Sequence, residues 1–176
     1  MAKYLILVIP IFLLICSLGY SYQGVNFKET KIGGFDFASE LITNQELEKL
    51  YGKGCTDKDY PYHYRRLYYF PEKNIYAAFN VETDNLVVGL KLTKEAIVEK
   101  KCKAKRNLKS DETGEKIKIG DSKDKVIKAY GKPSEEKIKP NNVVLYRYYV
   151  GRQEGPYMAI ELLKDRVNSI WITVGD

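Results

Sequence analysis

Residues 117–133 read IKIGDSKDKVIKAYGKP, and this stretch decides how the fold is read. A short apolar run ends at Gly120, and Asp121 or Ser122 can accept from a free backbone N–H at a helix start. Val126, Ala129 and Tyr130 then recur at i, i+3 and i+4, the face of a short helix. Gly131 tolerates the left-handed backbone that follows a helix end, and Pro133 forbids continuation. An earlier copy, ITNQELEKLYGKG, occupies 42–54. There Leu47, Leu50, Tyr51 and Gly52 stand 79 positions before Val126, Ala129, Tyr130 and Gly131, and Thr43 with Glu46 makes a capping box.

Three β-like runs follow each helix: 63–70, 75–82 and 86–93 in the first half, 143–150, 157–163 and 167–174 in the second. Turn formers separate them, as at 71–74 and 164–165, so each trio predicts an antiparallel meander. The expected fold class is therefore α+β: two tandem αβββ units, each a short helix packed on a three-stranded antiparallel meander. The expected boundaries are a signal peptide at 1–21, an N-terminal tether at 22–37 with a short strand near 31–37, a first unit at 38–93, a basic connector at 94–117 and a second unit at 118–176.

Alternation assigns the faces of these strands. Tyr68, Phe70, Ala77, Phe79, Leu90 and Leu92 form one apolar set, matched by Tyr146, Tyr148, Met158, Ile160, Leu162, Ile170 and Ile172. The opposite face carries Arg65, Tyr69, Tyr76, Asn80 and Lys91 in one half and Arg147, Tyr149, Tyr157, Glu161 and Trp171 in the other. Tyrosine, tryptophan and arginine are enriched where surfaces meet partners. Arg65, Tyr69, Tyr76, Arg147, Tyr149, Tyr157 and Trp171 are accordingly the candidate partner-binding residues. Aromatics also favour strands on their own account, which is the plainer explanation of the same pattern.

The N-terminal MAKYLILVIPIFLLICSLGYSYQG has one early charge, Lys3, an uncharged apolar run and then small residues. It is short for a membrane span and predicts a secretory signal peptide, with an uncleaved anchor as the alternative. Leu13 to Cys16 resembles a lipoprotein cleavage box except at Ile15, so lipid attachment at Cys16 is a second alternative to a soluble product. Periplasm or cell envelope is the expected location. Beyond Cys16 only Cys55 and Cys102 remain, and an even pair in an exported chain predicts a disulfide rather than separate thiols.

Net charge is +6, and it is uneven. KKCKAKRNLK at 100–109 holds Lys100, Lys101, Lys103, Lys105 and Arg106 without an acid. Such a run is either a solvated connector or a site for anionic glycan or lipid headgroups. Nucleic acid is not an expected partner of an exported chain. His63 is the sole histidine and stands in a tyrosine-rich run with no nucleophile beside it, and no Cys/His spacing points to a metal. Glu135-Glu136 lies beside lysines and reads as a solvated loop. No catalytic residue, metal or cofactor is expected, although two carboxylates can suffice for glycoside hydrolysis.

Ile119-Gly120-Asp121-Ser122, then Val126, then Tyr130-Gly131-Lys132-Pro133, then Arg166-Val167 and Ile170, resembles the outer-membrane assembly lipoprotein BamE (SmpA/OmlA). It is equally similar to a repeat of the β-lactamase inhibitor protein. The likeness covers 118–174 well and 43–93 weakly. It implies a helix layer on an antiparallel sheet and action by binding another protein of the envelope. The expected function is that of a non-enzymatic exported protein–protein interaction module, with anionic glycan or lipid binding at 100–109 as the alternative.

Overall fold

The computed structural model describes residues 29–57, 63–82, 84–149 and 156–174. The expected signal peptide and Cys16 lie outside these residues. So does the side chain of His63, which opens a strand. No helix among the described residues is long and apolar enough to cross a membrane.

A small hairpin, β1 (Lys31–Ile32) and β2 (Phe35–Asp36), precedes helix α1 (Asn44–Tyr51). Four strands follow: β3 (Cys55–Asp57), β4 (His63–Phe70), β5 (Ile75–Glu82) and β6 (Val87–Thr93). Helix α2 (Lys123–Tyr130) leads into β7 (Glu135–Lys139), β8 (Val143–Tyr149), β9 (Tyr157–Leu163) and β10 (Arg166–Thr173). The eight strands β3 to β10 join one antiparallel sheet in the order β3-β4-β5-β6-β10-β9-β8-β7.

This corrects the expectation of two αβββ units. The last strands of the two halves, β6 and β10, pair directly, Leu92 opposite Ile170 and Leu90 opposite Ile172. Their apolar side chains fall into a single core. Each half also contributes four strands rather than three. The extra ones, β3 and β7, lie at the two edges of the sheet. Neither shows apolar alternation: β3 is CTD and β7 is EEKIK, charged on both faces in the way that edge strands resist pairing with other chains.

Local chemistry explains both helices. Thr43 accepts from the Glu46 backbone N–H while the Glu46 carboxylate accepts from the Thr43 N–H, closing the capping box. Ser122 caps α2 by accepting from the Lys125 N–H. Leu47 and Tyr51 are the buried side of α1, Val126 and Tyr130 that of α2. Each helix ends on a glycine whose carbonyl accepts from a strand tyrosine, Tyr68 Oη to Gly52 O at 2.8 Å and Tyr148 Oη to Gly131 O at 3.2 Å. Those bonds fix each helix end to the sheet beneath it.

The described residues of both segments outside the expected units contribute to the core. Residue 29 onward is no tether, because Ile32, Phe35 and Phe37 are buried and the Phe35 ring packs against Tyr51 and Phe79. Glu29 accepts from the backbone N–H groups of Lys31 and Glu115 and from Tyr130 Oη, tying this segment to α2. The stretch 94–117 is likewise more than a connector. Cys102, Ala104, Leu108, Thr113 and Ile117 are buried in it. Composition hid this, since the basic residues that dominate 100–109 alternate with the ones that point inward.

Two glycines give a first prediction. Gly131 has φ 74° and ψ −161°, a backbone region nearly reserved for glycine, but open space around a would-be Cβ, so Gly131→Ala should cost the backbone strain alone, about 2 kcal/mol. Gly54 has φ 59°, and a Cβ there would stand 2.9 Å from Leu67 O and 2.7 Å from the Tyr68 ring. Gly54→Ala should therefore lower the melting temperature clearly more than Gly131→Ala; the reverse order would contradict these backbone assignments.

Candidate functional site

Strand register builds the site. Both helices and the β1–β2 hairpin pack on one face of the sheet, and the opposite, outer face is crossed by aligned rows of side chains. One row runs Tyr69, Tyr76, Thr93, Ser169, Glu161, Leu145, Lys137. The next runs Leu67, Ala78, Lys91, Trp171, Ala159, Arg147, Glu135. A third contains Asp57, Arg65, Asn80, Gly89, Thr173, Tyr157 and Tyr149. Cross-strand neighbours in such rows are close enough to interact directly.

All seven residues singled out from the sequence lie on this face. Arg147, Tyr149, Tyr157 and Trp171 come together. Tyr157 packs on Tyr149 with ring centroids 5.9 Å apart and on Trp171 at 5.6 Å, while the Arg147 guanidinium stands 5.9 Å over the Tyr157 ring. Glu135 accepts from Arg147 Nη1 at 2.9 Å and from Tyr149 Oη at 2.8 Å. Those bonds hold its carboxyl below the usual range against a small opposing effect of burial. Tyr69 and Tyr76 form a separate pair, with centroids 4.8 Å apart. Arg65 ion-pairs with Asp57.

Exposure divides the set. Tyr69, Tyr76 and Tyr149 are buried, so they are walls of the face rather than contact points. Tyr157, Trp171, Arg65 and Arg147 are half-exposed.

At the middle of the face sits Glu161, which sequence analysis placed there without partners. Its Oε1 accepts from Lys139 Nζ at 2.7 Å, and its Oε2 from Ser169 Oγ and from Lys91 Nζ at 3.4 Å. Burial alone would raise this carboxyl. The bonds from Lys139 and Ser169 and the charge of Lys91 outweigh it and bring the group down to about 2. Lys91 Nζ also stands 5.7 Å over the Trp171 ring, a cation–π contact. Lys139 and Glu135 belong to β7, although Glu135-Glu136 reads from sequence as a solvated loop. Their one available signal was spacing, because 135, 137 and 139 share a strand face.

The basic stretch does not converge into a pocket. It wraps the edge of β4 as a strap, with the Ala104 N–H donating to Tyr69 O at 2.9 Å and the Lys105 N–H to Tyr51 O at 2.9 Å. Lys100 reaches the Tyr69 ring on the outer face, Lys101 pairs with Glu99, and Lys109 reaches Phe35 on the helix side. Lys103, Lys105 and Arg106 are exposed between them. Cys102 is bonded to Cys55, the pairing expected from the sequence, with Cα atoms 5.5 Å apart. Among the described residues no group of three or more His, Cys, Asp or Glu side chains could hold a metal ion.

Neither a family model nor a curated protein matches the sequence. Among solved structures, the chain is similar to YjgB, a DUF4309 family protein from Bacillus subtilis, at 13% identity and TM-score 0.49 over 76% of this chain and 78% of that one. It is similar to an extracellular protein containing an SCP domain from Bacillus anthracis, at 11% identity and TM-score 0.47 over 76% of this chain and 43% of that one. A cysteine-rich secretory protein from Staphylococcus aureus, SAV1118, aligns at 14% identity and TM-score 0.45 over 85% of this chain and 46% of that one. The last two are thus more than twice as long as the part matched, and none of the three assigns this chain a function.

Proposed function

We propose that this is an exported, non-enzymatic binding module that docks another protein on the outer face of its sheet. The observation that carries the reading is the half-exposed cluster Arg147–Tyr157–Trp171, set in rows that span the sheet and braced by buried Tyr149 and the Glu135 ion pair. Rigid aromatic area with polar edges, held by its neighbours, is what anchor residues of interfaces share. Export is supported by the signal-like N-terminus and by a disulfide built into the fold.

Tyr157 and Trp171 are the expected anchors. Chemical crosslinking in intact cells, followed by identification of the adduct, should capture a discrete partner with the native chain. The Tyr157→Ala and Trp171→Ala variants should each weaken binding of that partner by about 2 kcal/mol, roughly 30-fold, while melting cooperatively. Capture of nothing above background, or alanine variants that unfold without any separate binding defect, would make the cluster ordinary sheet packing.

A further inference from the structure

We infer that the occupant of the outer face is an acidic protein segment, lying across β6, β10 and β9 over Trp171. The inference rests on the docking reading and names the chemistry of its partner.

Three acids of this face are already engaged, and the remaining one among the described residues, Glu82, lies at the far end of β5. Asp57 is paired with Arg65, Glu135 with Arg147, and Glu161 serves two ammonium groups at once. The Glu161 side chain is 11% exposed, so it offers little to a partner, whereas Lys91 and Lys139 are 27% and 36% exposed. One carboxylate between two lysines leaves a surplus positive charge at the centre of the face, directly beside the indole. The ends of the same rows add to it. Lys137 is exposed on β7, and Lys100 stands 5.9 Å over Tyr69 at the far side. A basic partner would meet like charge at Lys91 and Lys139 and again at Lys100 and Lys137. A carboxylate-rich segment would take the outward-facing N–H donors of Lys91 and Lys139 and lay its apolar atoms on Trp171 and Tyr157. Charge complementarity of this kind selects partners and speeds their encounter.

Fluorescent poly-L-glutamate added to the full exported chain is the probe, read by anisotropy. Binding should be seen at low salt and weaken steeply as salt is added. The double variant Lys91→Met, Lys139→Met should lose it at least tenfold. The double variant Lys91→Arg, Lys139→Arg should keep it, which separates lost charge from lost fold. Charge reversal at Lys101, Lys103 and Lys105 should leave it largely intact. Absence of binding, or loss only on reversing the strap lysines, would overturn the inference. Heparin binding through Lys91 and Lys139 at least tenfold tighter than polyglutamate would also overturn it, in favour of an anionic glycan. Capture in cells of a protein partner whose binding ignores the Lys91→Met, Lys139→Met change would defeat the acidic occupant alone and leave the docking reading standing.

Discussion

A chain carrying Cys55→Ser and Cys102→Ser will be less stable than the native one by about 4 kcal/mol, the chain-entropy value for a loop of this length. The bond spans 47 positions and so constrains a large part of the unfolded first half. Its local consequence is as specific as its size. Cys55 starts β3, paired with Leu67 of β4, and Cys102 starts the strap that continues along the same β4 edge at Tyr69. One bond therefore clamps two segments that would otherwise hold that edge by short hydrogen-bonded stretches. Urea unfolding should show the loss, and hydrogen exchange should show the amides of Ala104 and Lys105 losing protection before those of β9 and β10. Equal stability with and without the bond, or uniform loss of protection, would contradict this placement.

Glu161 should have the second largest effect, and it carries a pH signature. Its carboxyl sits at about 2 in the folded chain against an ordinary 4.5. A depressed folded value means that the ionised group stabilises the fold fully above the ordinary value. That contribution is then lost as pH falls from about 4.5 to about 2. Its size is on the order of 3 kcal/mol. Glu161→Gln should lower the urea midpoint strongly at pH 7, because two half-buried lysines lose their shared counter-ion. The gap between variant and native chain should close as pH approaches 2. A gap of the same size at pH 7 and pH 2.5 would show that packing, and not the charge of Glu161, is what the substitution removes.

What could be read in the sequence follows from how strongly a residue's role is printed in its neighbours. Helices α1 and α2 were legible because cap, apolar spacing and glycine stop agree within a dozen residues, as in Thr43, Leu47, Tyr51 and Gly52. The six long strands were legible because Tyr68-x-Phe70 and Met158-x-Ile160-x-Leu162 alternate against a buried layer. The same parity put all seven outer-face candidates on one side. It could not say that Tyr69, Tyr76 and Tyr149 would be buried there, since the groups packed on them, Lys100 of the strap among them, come from distant parts of the chain.

The joining of the halves was not legible. Nothing local to Leu90 or Ile170 says which other strand each will meet, and both patterns are satisfied by separate sheets. Edge strands β3 and β7 were missed for a related reason. An edge strand that must resist other chains carries charge where an inner strand carries the pattern by which strands are recognised. With β7 went the Lys139–Glu161 pair, and with it the centre of the site. A single short strand was expected near 31–37, but its pairing as a hairpin and the burial of the strap at 100–109 were missed because their few buried residues are diluted by glycine or lysine.

The central claim is that the outer face, and not the helix layer, meets a partner. A photoreactive amino acid placed at position 171 in the full chain, with position 128 on the exposed side of α2 as its counterpart, tests this most directly. Irradiation of intact cells should give a discrete protein adduct from position 171 and none from position 128. An adduct from position 128 with none from position 171 would place the interface on the helices and contradict the account.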